Sequence, residues 1–322
     1  MKIIATSDWH ETPFKKDKFK TQKPNWIEKI IIWLTSSQKK LQRIFVRMTE
    51  VIREEKIEIV IHNGDLMENP QNEQGLVTRE GIQTAKQIRR SFCWENHVHM
   101  QINAGNHCLG YRLPLSTDPE GGISLASIKG FQELTGTHGE SLCRLFNYKG
   151  HSFVFVPFGL VQEFAKDFDI EEFKAIIIND LWNIFQGLGE RKIILFLHDP
   201  EALANDDLYR VIRRHQNKIR HVFCGHWHAA WSFWSNWLLA KIFNNWWLYP
   251  DDLFVRFLLL LLSKSLRISG EVKRSFKRFK DVPARMRELG VTIIPAPLGM
   301  LGFGGGFLTL DMETMEIQKF SA

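Results

Sequence analysis

Five short apolar, β-branched runs in this chain stop in the same way, on a turn residue beside a side chain able to bind a cation. The runs cover residues 2–7, 57–61, 97–102, 192–197 and 219–224. They break at Asp8-Trp9-His10, His62-Asn63-Gly64-Asp65, Asn103-Ala104-Gly105-Asn106-His107, His198-Asp199-Pro200 and Gly225-His226-Trp227-His228. Strands buried on both faces read as continuous apolar stretches. Helical patterning separates most of them: Leu41, Ile44, Phe45, Met48, Val51 and Ile52 recur at helical spacing, and 26–34, 78–92, 123–134, 170–185 and 206–215 read as further helices. Residues 13–24, 69–75 and 111–150 read mainly as loop. Strands alternating with helices give an α/β arrangement, in which ligands bind beyond the carboxyl ends of the strands.

Those ends carry Asp8, His10, Asp65, Asn106, His107, His198, His226 and His228. Asp8 with His10, and His226 with His228, stand at i and i+2, so each pair shares one side of an extended segment. Glycine at 225 lets the backbone come close to whatever lies there. Each residue alone also fits a blander role, as a turn former or an ordinary buried histidine; five endings of one kind in a single chain favour a shared site. Oxygen and imidazole donors without thiolate suit Mn²⁺, Fe²⁺ or Zn²⁺, and the two oxygens of Asp65 allow it to bridge two ions. The chain has neither a G-x-S-x-G elbow nor a P-loop. Histidines 62, 97, 99, 138, 151, 215 and 221 match no motif and are read as structural.

The order Asp8-x-His10, Gly64-Asp65, Gly105-Asn106-His107, His198, Gly225-His226-x-His228 resembles the calcineurin-like metallophosphoesterase family. The resemblance covers about residues 1–228 plus the C-terminal strands. It implies an α/β (α+β) fold, a four-layer αββα sandwich with a two-metal site at one sheet edge. It also implies that Asp8, His10 and His228 hold one ion, Asp65 bridges, and Asn106, His198 and His226 hold the other. His107 would be the acid for the leaving oxygen, and a hydroxide bridging the ions would attack phosphorus. Where family members commonly carry an acidic residue after that histidine, this chain has Cys108, so no neighbouring carboxylate orients the imidazole.

The catalytic core is thus expected over 1–228 and 291–322, with 229–290 inserted between. Five of the chain's eleven tryptophans fall between Trp231 and Trp247, and an apolar stretch follows over 253–268. Between Lys264 and Arg287 nine Lys/Arg face two acidic residues, a local +7 that leaves the rest of the +6 chain at −1. No uncharged run there is long enough to span a bilayer. A helical, interfacial element fits better, with Trp at headgroup depth and the basic segment on anionic lipid. A lid, an oligomer contact or a nucleic-acid surface are the alternatives. Four cysteines with no C-x-x-C pair, and an N-terminal apolar run too short for a signal peptide, fit a cytoplasmic protein peripheral at the inner face of the membrane. The expected activity is phosphoester or pyrophosphate hydrolysis with two divalent ions, on a small phosphorylated molecule or, foremost, a lipid-linked substrate. A nuclease or nucleotide phosphodiesterase of the same fold, and a catalytically silent scaffold, are the rivals.

Overall fold

The computed structural model describes residues 1–9, 38–66, 79–109, 123–135, 141–160, 167–226, 281–296 and 306–321. His10, His228, the helix expected at 26–34 and the insertion over 229–280 lie outside the described residues.

One sheet is built from β1 (Lys2–Thr6), β2 (Ile59–His62), β3 (His99–Ile102), β9 (Gly306–Asp311) and β10 (Ile317–Ser321), in the order β10-β9-β1-β2-β3. The second holds β4 (Arg144–Tyr148), β5 (His151–Val156), β6 (Ile193–Leu197), β7 (Ile219–Cys224) and β8 (Val291–Ile293), in numerical order. β1 to β3 run parallel, as do β5 to β8, while β4, β9 and β10 pair antiparallel at the margins.

The continuous apolar strands are explained by burial on both faces. Ile3, Ala5, Ile59, Ile61, Phe153, Phe155, Ile194, Phe196 and Phe223 fill the space between the sheets. The alternate residues Ile4 and Val60 face α1 (Gln38–Glu54) and α2 (Arg79–Asn96). On the far side Val154, Leu195 and Val222 face α5 (Ile170–Gly187), α6 (Asp206–Arg214) and α7 (Val282–Leu289). Short α3 (Asn106–Leu109) follows β3, and α4 (Leu125–Thr135) packs beside α2. The result is the expected αββα sandwich.

Two findings depart from the sequence reading. β4 lies within a stretch read as loop: it is a half-buried edge strand of mixed composition, and its hairpin to β5 turns on Lys149 and Gly150, both at positive φ. In addition, Val282, Met286 and Leu289 of α7 are buried in the outer core, so the last part of the 229–290 segment is an integral helix. Among the described residues, no helix is long and apolar enough to cross a membrane.

Candidate metal centre

Asp8 and Asp65 leave the first sheet just beyond β1 and β2, and His198 and His226 leave the second beyond β6 and β7. Both sheets present these strand ends at one edge of the sandwich. One donor atom from each of the four residues lies within 4.8 Å of the other three, and none of the side chains is more than 3 % exposed.

The backbone turns each ligand inward by an unusual route. Asp8, Asp65 and His226 all have positive φ, at 54°, 54° and 62°. That left-handed region costs a non-glycine residue about 1–3 kcal/mol and persists where the surroundings over-determine it, typically at functional sites. Asp8 is pinned by its N–H donating to Gly64 O at 2.9 Å, and its Oδ2 accepts from the His226 N–H at 3.0 Å. Trp9 points the other way, into the core against Phe45, Phe92 and His62, with its indole N–H donating to Thr6 Oγ1.

The glycines before the ligands have a steric cause. A Cβ on Gly64 would lie 2.1 Å from His198 Nδ1, one on Gly105 would lie 2.0 Å from Asp65 Oδ1, and one on Gly225 would lie 2.1 Å from Ser7 Oγ. Only a bare backbone fits this closely against the donor side chains.

His198 Nδ1 lies 2.7 Å from the Asn63 carbonyl and Nε2 lies 3.2 Å from Asp65 Oδ2. A carbonyl can only accept, so Nδ1 carries a proton and Nε2 is the nitrogen turned to the cluster; such a partner fixes the tautomer of a ligating histidine. Burial by itself pushes this imidazole down, but the charge and hydrogen bond of Asp65, with Asp8 adding, outweigh it and raise the pKa to about 9. The His198 and His226 rings lie 5.3 Å apart, walled by Phe158.

A raised pKa stabilises the fold below the unfolded value near 6.5 and loses that contribution as pH rises through the folded value. In chelated protein, stability should therefore fall between about pH 6.5 and pH 9 by a few kcal/mol at most. Thermal unfolding across that range reads it, and His198→Gln should flatten the slope; an unchanged slope in that variant would contradict the pairing.

Two carboxylates and two imidazoles without a thiolate are the donor set of a borderline divalent ion. Donors on one ion at about 2.1 Å stand at most roughly 4.2 Å apart, so a spread of up to 4.8 Å fits one ion after small adjustment or an adjoining pair. Asn106 begins α3, directly after the glycine that packs on Asp65, and His107 follows it; the described structure gives the backbone of these two and not their side chains. Cys108 is buried, and burial, with the Asp65 charge adding, pushes its thiol up to about 12. It is the neutral residue that follows His107 in the chain.

Among the histidines read as structural, His215 stacks on Phe185 and His221 meets Thr292 Oγ1 at 2.8 Å, away from the cluster. The sequence reading passed over Ser7, Asn63 and Asn103, all buried directly beneath the ligands. The available signal was a polar residue one to three positions before Asp8, Asp65 and Asn106.

The sequence pattern of the calcineurin-like phosphoesterases matches residues 1–230. No functionally curated protein matches the chain. Among solved structures, a dimetal phosphatase from Danio rerio is similar at 13 % identity, covering 71 % of this chain and 82 % of that one with a TM-score of 0.43. GAP50, the anchor in the inner membrane complex of Plasmodium, is similar at 12 % identity over 70 % of this chain and 65 % of that one, with a TM-score of 0.31. With its family pattern spanning the whole region that supplies the four clustered donors, this chain belongs to the calcineurin-like phosphoesterase family and is a metal-dependent phosphoesterase.

Proposed function

We propose that the chain hydrolyses a phosphoester or pyrophosphate bond in a lipid-linked substrate at a membrane surface, using two divalent ions, Mn²⁺ foremost and Fe²⁺ or Zn²⁺ as alternatives. The observation that carries the hydrolytic part is the convergence of Asp8, Asp65, His198 and His226 in one buried cluster. In this reading Asp8, His10 and His228 serve one ion, Asp65 bridges, and Asn106, His198 and His226 serve the second, with His107 giving a proton to the leaving oxygen. When bound, the ions supply Lewis acidity and a water activated near neutral pH. The chain's part is to hold the donors fixed and to return only two negative charges against four positive ones. The remaining positive field binds phosphate and stabilises the charge that develops in transfer.

The membrane part rests on sequence. The Trp-rich residues begin three positions after His228, and from Lys264 to Lys280 seven Lys/Arg face one acidic residue. Arg285 is excluded from that count because it is committed to Leu203 O and Asp206. Trp and Lys/Arg in this order suit an anionic interface.

The test compares the full chain with a form lacking 229–280, a deletion that spares α7. Both receive Mn²⁺, a soluble aryl phosphodiester, and a lipid pyrophosphate in anionic vesicles. Both forms should cleave the soluble ester, while only the full chain should float with vesicles and cleave the lipid. Equal flotation removes the membrane part. Salt-sensitive DNA binding with cleavage favours a nuclease, and no hydrolysis of any substrate supports the scaffold.

A further inference from the structure

The four clustered donors come from two different sheets, so their spacing is set by how one sheet sits on the other. Between the sheets the contact is apolar: Ile3, Ile59, Phe155, Phe196 and Phe223 among others. Apolar contact is non-directional. It holds two layers together but does not by itself fix their sliding register to the few tenths of an ångström that metal coordination requires.

One polar device crosses this interface immediately beneath the donors. Asn63 is fully buried, and its side-chain Nδ2 donates across the sandwich to Leu197 O at 2.7 Å, the carbonyl joined to His198. Its Oδ1 accepts from Asn103 Nδ2 at 2.9 Å, and the same Nδ2 donates to Val156 O at 3.0 Å. Asn103 Oδ1 accepts from the Ala104 N–H. The Asn63 backbone carbonyl takes both His198 Nδ1 and, at 3.1 Å, Ser7 Oγ beside Asp8. Backbone bonds complete the frame: Asn63 N–H to Thr6 O, Asn103 N–H to His62 O, and Gly225 N–H to His198 O. Two amides thus tie the ends of β2 and β3 to the ends of β5 and β6, and the ties land next to ligands.

We propose that Asn63 and Asn103 are positioning residues that set the metal affinity of the centre by locking the two sheets in register beneath it. The inference rests on the reading that Asp8, Asp65, His198 and His226 bind the metal. Directional, water-excluded hydrogen bonds do what apolar packing cannot, and a buried amide stripped of its partner strongly disfavours the arrangement that exposes the loss.

The test uses full-length protein, chelated and then titrated with Mn²⁺ by calorimetry, with thermal unfolding of each metal-free form recorded alongside. Asn103→Leu keeps the number of side-chain heavy atoms but removes the cross-sheet bond to Val156 O and the brace on Asn63 Oδ1, and Asn63→Ala removes the cross-sheet bond to Leu197 O. Ile177→Val, on the buried face of α5 in the outer core, is the control for stability alone. Loss of groups that orient metal ligands typically weakens metal binding 10–100-fold, and we expect both asparagine variants to fall in about that range. Aryl phosphodiester turnover should recover substantially at saturating Mn²⁺. Ile177→Val should lower the unfolding temperature and leave Mn²⁺ affinity unchanged. Natural Mn²⁺ affinity in Asn103→Leu, whatever its unfolding temperature, would overturn the proposal; should that variant not fold, Asn63→Ala decides on the same criterion. Absence of Mn²⁺ binding by the unmodified chain would instead defeat the metal reading itself.

Discussion

Asp65→Asn should leave a folded protein whose turnover of an aryl phosphodiester with Mn²⁺ is lower by about 10³-fold, the several kcal/mol that a metal centre contributes to transition-state stabilisation. The fold survives for a local reason. Asp65 sits at φ 54°, and asparagine is the side chain that tolerates left-handed backbone best after glycine. It is also isosteric, which matters because the Asp65 carboxylate is packed against Gly105. What changes is charge: the cluster loses one of its two carboxylates, and Mn²⁺ affinity falls with it. The substitution has a second signature that needs no metal. His198 owes its raised pKa to Asp65 against the opposing pull of burial, so the loss of stability between pH 6.5 and 9 should disappear in the chelated variant. Retention of a tenth of natural turnover, or an unchanged pH slope, would remove Asp65 from the centre of the site.

Gly64→Ala should destabilise the chain by about 2–5 kcal/mol, the sum of left-handed strain and an overpacked core, and should remove Mn²⁺ binding at the same time. Gly64 has φ +103°, and the added methyl would fall 2.1 Å from His198 Nδ1 and 2.7 Å from Cε1. That imidazole has nowhere to retreat, being held by the Asn63 carbonyl on one nitrogen and Asp65 on the other. Gly189→Ala provides the comparison, since it also has positive φ (+58°) but nothing within 4 Å of the new Cβ. Its cost should be about 1 kcal/mol, backbone strain alone. Denaturant unfolding of the two variants separates the steric part from the conformational part. Equal costs would mean that His198 does not crowd Gly64 as described.

How much of this was legible in the residues alone differs from element to element. The strands with both faces buried announced themselves as unbroken apolar runs, because a strand covered on both sides has no face left for polar residues. β4 did not, because an edge strand is only half covered and tolerates Arg144, Asn147 and Tyr148 without penalty. The left-handed turns at Asp8 and His226 were equally illegible, since Asp and His tolerate positive φ but adopt it only where the surroundings hold them there.

Sequence by itself determined which donors stand at which strand ends, and that a glycine precedes Asp65, Asn106 and His226, for these are relations between covalent neighbours. Only the tertiary structure decided that Asp8 and Asp65, carried by one sheet, meet His198 and His226, carried by the other. It alone revealed Asn63 and Asn103 as the cross-sheet tie, because a hydrogen bond between residues 53 or 134 positions apart, on different sheets, exists only once the sheets are packed. The physical reason is common to both cases: local chemistry is written along the chain, whereas the distance between two sheets is settled by the core that fills the space between them.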